Sequence, residues 1–410
     1  MRTLEEARVL DAADPLRPMR DAFELPDGEI YLDGNSLGAL PRATVSRIAG
    51  TVGSEWGRGL IRSWNKAGWI DAPARVGGKI ARLIGAQPHE VLVADSTSAN
   101  LYKLLVAAVR ARPGRRVILS EPGNFPTDLY VAQGAAETLG NVELRLAPRE
   151  AIVEALDEDV AVLLLTHVHY QSAAQFDMAA VTRAAQAKGV LVLWDLSHSA
   201  GAVAVDLNDA HADLAVGCGY KYLNGGPGAP AFLFVAERHQ TVLRSPLSGW
   251  MGHAAPFDFR DAYAPGEGIA RFLCGTPPIL GLAALEEGVD LLLGADREAL
   301  YAKGQALCSA FIDRVEDCCA GLGLSLATPR DPASRGSHVS FRHEQGWPIM
   351  QALIARGVIG DFRAPDILRF GFTPLYVGFE DVWRAAEALR DILTMRAWDA
   401  PAFHARAAVT

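Results

Sequence analysis

The sequence predicts an α/β protein built on a mostly parallel sheet covered by helices. Short apolar runs rich in β-branched residues alternate along the chain with Ala-rich stretches of helical spacing, such as residues 178–188. The chain has no fixed-period repeat and no low-complexity tract, which argues against solenoids and propellers. The apolar runs that we predict as buried strands are residues 117–119, 162–165, 190–193 and 231–235.

The 410 residues suit one large domain with a smaller one attached. The N-terminal region is rich in Gly and Trp and is irregular, which indicates an arm or lid. After Pro277-Pro278 the pattern is helical through Ala320, and short strands follow near 337–342 and 368–372. We predict an N-terminal arm over 1–50 that contributes to the small domain, a large cofactor-binding domain over 51–283 and a small α+β C-terminal domain over 284–410.

Composition and charge exclude several classes of function. The formal net charge of −9 argues against nucleic acid as a partner, because phosphate backbones are bound by clustered Lys and Arg. No apolar run approaches the ~20 residues that a membrane span requires. The five cysteines are odd in number and lack metal-ligand spacing, which favours reduced thiols and a cytoplasmic protein. His167 and His169 form a His-x-His pair, but no acidic or Cys partner with ligand spacing lies nearby, so we predict no metal site.

The strongest signal for chemistry is the pair Asp195 and Lys221. Asp195 ends a predicted strand in VLVLWDLSHSAG, and Lys221 lies in DLAVGCGYKYLNGGPG. Ligands of open α/β sheets bind at the carboxyl ends of strands, where both residues are expected. A carboxylate there can keep a pyridine nitrogen protonated, and a lysine amine can hold the cofactor covalently. Singly, each residue is more often structural; together with the Gly-rich loop after Lys221 they favour a pyridoxal 5'-phosphate site.

Two further motifs follow predicted strands. Thr97 and Ser98 lie in a polar turn before an apolar-periodic helix over 101–109, where free N–H groups and hydroxyls can bind a phosphate. Ordinary N-capping is an equally good explanation of that turn. In GNFPTD, Phe125 can stack on a flat heterocycle and Asp128 can approach a ring substituent, although by itself this motif favours a plain turn.

Taken together, the motifs resemble those of the kynureninase family, which belongs to the fold-type I, class V aminotransferase-like pyridoxal phosphate enzymes. The matching segments run in order from about Tyr31 to Tyr376: YLDGNSLGALP, the Thr97-Ser98 turn, FPTD, WDLSH, YKYLNGGPG, LSGW, GTPPIL and RFGFTPLY. The resemblance covers nearly the whole chain. It implies a fold-type I large domain with a mixed, mostly parallel sheet and a smaller α+β domain.

The resemblance also implies roles for individual residues. Lys221 would carry the cofactor, Asp195 would pair with its ring nitrogen, and Tyr220 would bind phosphate and move protons. Arg369 would bind the substrate α-carboxylate, a role suited to a two-pronged donor. The other expected cofactor contacts are Thr97, Ser98, Phe125, Asp128, Thr166 and His198, with Trp250 and Thr276 from the neighbouring subunit of a homodimer. The other expected substrate contacts are Trp64, Asn35 and Ser36.

The implied reaction is hydrolytic Cβ–Cγ cleavage of L-kynurenine to anthranilate and L-alanine, in tryptophan catabolism and NAD biosynthesis. Animal members, which prefer the 3-hydroxylated substrate, have His and Asn where this chain has Trp64 and Thr276, so the bacterial pattern matches better and 3-hydroxykynurenine is expected to be the poorer substrate. The alternatives are a cysteine desulfurase or selenocysteine lyase, which needs a nucleophilic Cys on a Gly-rich loop, and a non-catalytic protein on this fold. A Rossmann-type dehydrogenase is disfavoured because no G-x-G-x-x-G turn follows the first strand.

Overall fold

The computed structural model describes residues 1–406. The chain forms two compact units, one of residues 44–167 and 176–293, and another of residues 1–43, 168–175 and those from 294 onward. The division into an N-terminal arm, a large domain and a small domain at residues 50 and 283 stays a prediction. Within the described residues, no helix combines the length and the apolar content that crossing a membrane requires.

The α-helices of the described chain, numbered in order, are α1 Leu4–Ala13, α2 Arg42–Gly50, α3 Ser63–Lys66, α4 Ala72–Leu83, α5 Thr97–Arg110, α6 Pro126–Leu139, α7 Met178–Ala187, α8 Glu237–Gln240, α9 Ile279–Gly294, α10 Arg297–Cys318, α11 Gly346–Ile354 and α12 Phe379–Thr394. A π-helical stretch, Thr51–Gly59, follows α2.

The strands are β1 Phe23–Glu24, β2 Ile30–Tyr31, β3 Leu40–Pro41, β4 Val91–Val93, β5 Val117–Ser120, β6 Glu143–Leu146, β7 Val160–Thr166, β8 Leu191–Asp195, β9 Leu214–Gly217, β10 Phe232–Val235, β11 Ser325–Leu326, β12 His338–Arg342, β13 Val358–Ile359, β14 Asp361–Arg363 and β15 Ile367–Gly371.

The larger unit contains a seven-stranded sheet in the order β4-β10-β9-β8-β7-β5-β6. Strands β9, β8, β7, β5 and β6 pair in parallel, whereas β10 runs antiparallel to both of its neighbours. Every residue of β5, β7, β8, β9 and β10 is buried. Strands covered on both faces are continuously apolar, which is why the short β-branched runs predicted β5, β7, β8 and β10. Strand β9 was not among the predicted runs.

The smaller unit contains an antiparallel sheet in the order β11-β12-β15-β14 and two short pairs, β1 with β3 and β2 with β13. Helix α10 packs against α12, and α11 also contacts α12. This is the α+β organisation that the sequence predicts for the smaller domain.

The helical pattern predicted from Pro278 to Ala320 is confirmed, and two helices fill this stretch. Helix α9 ends at Gly294, and the Asp296 side chain accepts a hydrogen bond from the Ala299 amide at 3.0 Å, which caps α10. An Asp that caps a helix begins a new one, and helical periodicity alone does not reveal that break.

Candidate active site

Three neighbouring strands of the larger sheet bring the predicted catalytic residues to one edge. Thr166, the last residue of β7, is paired in register with Asp195, the last residue of β8, and Asp195 is paired with Val216 of β9. The chain leaves β9 at Gly217 and reaches Lys221 four residues later. Because parallel strands end at the same edge of a sheet, these side chains converge at the position where open α/β sheets bind ligands.

The Lys221 amine is buried among polar and aromatic groups. Its Nζ lies 3.2 Å from Nε2 of His198, 5.7 Å from the ring centroid of Phe125 and 5.8 Å from that of Tyr220. The Gly-rich loop that follows Lys221 folds back onto Gly219, where the Gly225 amide donates to the Gly219 carbonyl at 2.9 Å. A Cβ on Gly225 would lie 2.7 Å from the Gly219 carbonyl oxygen, so the loop returns too closely for any larger residue.

Asp195 and Asp128 form a buried carboxyl pair. Burial raises the pKa of the Asp128 carboxyl well above its usual range, and the nearby negative charge of Asp195 adds to this effect. Burial also raises the pKa of Asp195, but its Oδ1 accepts hydrogen bonds from the Ser197 amide at 2.8 Å and from the Ser197 hydroxyl at 2.6 Å. Two adjacent buried carboxyls cannot both ionise at low cost, and the pKa of Asp128 is raised more than that of Asp195, which the Ser197 hydrogen bonds lower.

Thr166 connects the carboxyl pair to the turn after β5. Its Oγ1 donates to the Asn124 side-chain oxygen and lies 3.4 Å from Oδ2 of Asp128. Asn124 Oδ1 also accepts from the Phe125 amide at 2.7 Å, and Asn124 Nδ2 donates to Ser120 Oγ at 3.1 Å. The hydrogen bonds of Asn124 therefore fix the turn that carries Phe125 and Asp128. Sequence reasoning did not single out Asn124, although it lies inside the GNFPTD motif.

The N-terminus of α5 supplies the polar side of the site. The Ser96 hydroxyl accepts a hydrogen bond from the Ala99 amide at 3.3 Å, so Ser96 caps the helix rather than Thr97 or Ser98. Asp95, the residue before Ser96, has a positive φ of 49°. Its carboxylate forms an ion pair of 2.8 Å with Lys103, whose side chain is fully buried. The cap and the ion pair hold the first turn of α5 in place, where its amides and hydroxyls suit an anion.

One cavity in the larger unit is lined by all of the predicted catalytic residues and by most of the predicted cofactor contacts. Its lining includes two further residues, Thr127 and Ser197, that the sequence did not identify. Ser197 comes two residues after Asp195, so its place in the WDLSH motif was the available signal. The predicted residues in the lining are Thr97, Ser98, Phe125, Asp128, Thr166, Asp195, His198, Tyr220 and Lys221.

Three other predicted residues of the larger unit lie outside this lining. Thr276 lines a neighbouring cavity that Thr97 and Tyr220 also line. Trp250 is 39% exposed, and its ring centroid lies 5.7 Å from that of Phe257. Trp64 packs edge-to-face on Trp69 at a centroid distance of 6.0 Å.

In the smaller unit, Arg369 lies on β15 and is 1% exposed. Its Nε donates to Asp361 Oδ1 at 2.8 Å, and its Nη2 donates to Asp361 Oδ2 and to Ser36 Oγ, the latter at 3.0 Å. Nη1 donates to the Tyr170 carbonyl at 2.6 Å. Asp361, on the adjacent strand β14, was not identified from the sequence.

Asn35 is fully buried in the same unit, and Gly371, at the end of β15, allows its close approach. A Cβ on Gly371 would lie 1.8 Å from Asn35 Oδ1. The structure thus places the predicted residues Asn35, Ser36 and Arg369 in the smaller unit.

Comparison with solved structures gives the fold. An apo cysteine desulfurase from Thermococcus onnurineus superposes with a TM-score of 0.78 at 19% identity, covering 92% of this chain and 98% of that one. A mutant of the lyase C-DES, with glycine linked covalently to its PLP cofactor, gives a TM-score of 0.80 at 16% identity, over 91% of this chain and 99% of that one. At such identities the likeness concerns the fold alone, and it confirms the predicted fold-type I α/β class.

Comparison of sequences is more specific. Residues 300–389 match the family model of the kynureninase C-terminal domain. A kynureninase from Burkholderia mallei strain SAVP1 is 56% identical and one from Pseudomonas fluorescens is 51% identical, and both alignments cover the whole of each chain. Similarity of this extent over the entire length means that the chain belongs to the kynureninase family.

Proposed function

We propose that this chain is a pyridoxal 5'-phosphate-dependent hydrolase that cleaves the Cβ–Cγ bond of L-kynurenine and releases anthranilate and L-alanine. We expect 3-hydroxykynurenine to be cleaved less well. The observation that carries the proposal is the single cavity in which a buried lysine amine, a buried carboxyl pair, an aromatic ring and a helix N-terminus meet. Membership of the kynureninase family selects this reaction among those that such a cavity could support.

The cavity lining fits the chemical groups of pyridoxal phosphate. Thr97 and Ser98 at the start of α5 suit the phosphate, the Phe125 ring suits one face of the pyridine, and Asp195 suits the protonated ring nitrogen. Lys221 would bind the cofactor covalently through Nζ, with His198 beside it. When bound, the cofactor supplies an electron sink for the negative charge that bond breaking leaves on the substrate.

The chain's own residues then handle protons and charge. Lys221 Nζ would take the α-proton from the substrate and return it. Asp195 would keep its negative charge against the ring nitrogen, because its Oδ1 accepts two hydrogen bonds from Ser197, whereas burial and Asp195 raise the pKa of Asp128. Tyr220, whose ring lies near the lysine, would relay protons or bind phosphate. Hydrolysis adds the OH of water to the aryl ketone carbon, which becomes the carboxylate of anthranilate, and the remaining hydrogen to Cβ, which completes alanine.

Substrate recognition is assigned to a second group of residues. We propose that Arg369 binds the α-carboxylate, supported by its buried position and fixed orientation against Asp361. Trp64, Asn35 and Ser36 are proposed as the other substrate contacts, and Trp250 and Thr276 as contacts that each subunit supplies to its neighbour. The support for Asn35, Ser36, Trp250 and Thr276 is the match of each position to the family motifs, and the support for Trp64 is the contrast with the His of animal members.

We further propose that the enzyme is a cytoplasmic homodimer with active sites at the subunit interface, and that it serves tryptophan catabolism and NAD biosynthesis. The 39% exposure of Trp250 is consistent with a contact made in an assembly. The five cysteines form no disulfide within residues 1–406, as expected of a reducing compartment.

The proposal predicts that the protein loaded with pyridoxal phosphate releases anthranilate from L-kynurenine. The measurement is the appearance of anthranilate fluorescence together with stoichiometric L-alanine. Borohydride reduction of the loaded protein should fix the cofactor on Lys221, as peptide mass spectrometry would detect, and Lys221→Ala should lose both the label and the activity. If the wild-type protein bound the cofactor but released no anthranilate, the proposed reaction would be wrong.

The same preparation separates this proposal from a cysteine desulfurase. That reaction needs a cysteine nucleophile, so alkylation with a thiol reagent should abolish it, whereas cleavage of L-kynurenine should survive. Cys308 is fully buried, and burial raises its pKa to about 12, so this thiol is unsuited to attack.

A further inference from the structure

Two arginines, not one, converge on Asp361 in the smaller unit. Oδ2 of Asp361 lies 2.6 Å from Nη2 of Arg363 and also accepts from Nη2 of Arg369. The Ser36 hydroxyl joins the same group: it donates to Asp361 Oδ2 at 3.0 Å and accepts from Arg363 at 3.2 Å and from Arg369 at 3.0 Å. The three charged side chains and one hydroxyl thus form a continuous network.

The charges of this network do not cancel. Burial by itself would raise the pKa of Asp361, but the charge and hydrogen bonds of Arg369, with the charge of Arg363, outweigh it and hold this pKa below its usual value. Asp361 is therefore ionised, and its single negative charge is shared by two guanidinium groups. One positive charge is left over, which suits one carboxylate of a ligand.

The side chains of the two arginines differ in their exposure to solvent. The Arg369 side chain is 1% exposed, whereas that of Arg363 is 38% exposed. Nε of Arg363 is buried and has no hydrogen-bond acceptor among residues 1–406. A buried N–H without an acceptor is unfavourable, and a ligand carboxylate is the kind of group that would satisfy it.

Asp33 is a further titratable group that interacts with this cluster. One of its carboxyl oxygens, Oδ1, is buried without a partner among the described residues. Burial, together with the negative charge of Asp361, raises the pKa of Asp33 to about 7, and the charges of Arg369 and Arg363 oppose that rise only in part. The phenols of Tyr31 and Tyr376 also face Asp33, and burial raises the pKa of each, so both stay neutral.

We infer that Arg363 supplies the positive charge that the substrate carboxylate neutralises. Asp361 is the positioning residue that orients Arg369 for its hydrogen bonds to that carboxylate. This inference rests on the proposed function, because it assigns the ligand of the cluster as the α-carboxylate of the amino-acid substrate. The inference adds Arg363 as a residue that determines specificity for the substrate carboxylate. It also adds Asp33 as the residue that makes binding of that carboxylate depend on pH.

The first test compares charge-removing and charge-keeping variants at position 363. Arg363→Gln should raise KM for L-kynurenine by roughly tenfold and leave kcat within about threefold, because the charge acts on binding of the carboxylate. Arg363→Lys should recover most of that loss. The matched control is Arg356→Gln, at an exposed arginine of the same unit, which should leave KM unchanged. An unchanged KM in Arg363→Gln, or a lysine variant no better than glutamine, would overturn the inference.

A second arm separates carboxylate recognition from a structural effect. The decarboxylated analogue of L-kynurenine keeps the amine and the aryl ketone but lacks the carboxylate, and it can be measured as a competitive inhibitor. Its inhibition constant should be the same in wild-type protein and in Arg363→Gln. Equal weakening of both ligands would mean that the site is merely distorted, and Arg363 would lose its assigned role.

The pH profile tests Asp33. Below about pH 7 Asp33 is protonated and the cluster keeps its positive charge, whereas above it the ionised carboxylate cancels that charge. KM should therefore rise as pH increases through 7, and Asp33→Asn should remove the rise; a rise that persists in the variant contradicts the role of Asp33. Wild-type protein that releases no anthranilate at any pH would refute the proposed reaction instead, so the two failures are distinguishable.

Discussion

At the scale of single residues, the buried carboxyl pair allows a sharp prediction about charge. Asp195→Asn keeps the size of the side chain and its contact with Ser197, but it removes the negative charge that would hold a proton on the cofactor ring. We expect kcat to fall by about 100-fold or more, as is typical when a preorganised charge at a reacting centre is lost. The measurement is anthranilate release by protein saturated with cofactor.

The matched control is Asp209→Asn, at an exposed aspartate of the same unit, which should turn over at the wild-type rate. Full turnover by Asp195→Asn would show that the electron sink does not depend on this carboxylate. Loss of folding, detected by circular dichroism, would be distinguished from loss of chemistry by retained binding of the cofactor.

Single residues also show what the sequence can and cannot predict. Asp195 was predictable because it ends a strand whose apolar run is clear, and Lys221 because it precedes a Gly-rich loop and is expected at the same edge of the sheet. Asp361 was not, because its role comes from pairing with Arg369 across strands β14 and β15. The pairing of two short strands depends on tertiary packing, and β14 carries no motif, although β15 holds the first residues of RFGFTPLY.

At the scale of secondary structure elements, two adjacent glycines in α4 should respond in opposite ways to the same substitution. A Cβ on Gly77 would lie 2.4 Å from the Val91 carbonyl oxygen of β4, whereas one on Gly78 would come no closer than 3.4 Å to Pro88. Gly77→Ala should therefore reduce the free energy of unfolding by about 2 kcal/mol through the steric clash with the strand. Gly78→Ala should raise it by up to about 1 kcal/mol, because alanine favours the helix.

Urea denaturation of the two variants beside the wild type measures both effects. Each variant serves as the control for the other, since the helix and the added methyl group are the same. A Gly77→Ala protein as stable as the wild type would mean that α4 can move away from β4 without cost.

The same scale explains why strands were predicted better than helix ends. Strands β5, β7, β8 and β10 are buried along their whole length, so composition alone marks them. The break between α9 and α10 depends on one cap at Asp296, inside a stretch whose apolar spacing is helical on both sides. Local hydrogen bonding therefore decides boundaries that periodicity cannot resolve.

At the scale of the whole molecule, an apolar surface segment argues for the proposed homodimer. Between residues 45 and 61, five large apolar side chains are more than two-fifths exposed, with Ile61 at 77% and Trp56 at 58%; the others are Val45, Val52 and Leu60. Large apolar side chains grouped at a surface typically mark a protein contact, and a second copy of the chain is the partner that the proposed shared active site requires.

Sedimentation of the wild-type protein should therefore give a dimer, and the double variant Trp56→Asp with Ile61→Asp should shift it toward monomer. Because Trp250 and Thr276 are proposed to reach the neighbouring subunit's cofactor, the monomer should also bind pyridoxal phosphate more weakly. Met395→Asp, at a side chain 66% exposed elsewhere, is the control and should change neither property. A double variant that stays dimeric would place the contact on another surface, and a monomer with undiminished affinity for the cofactor would mean that each chain completes its own site.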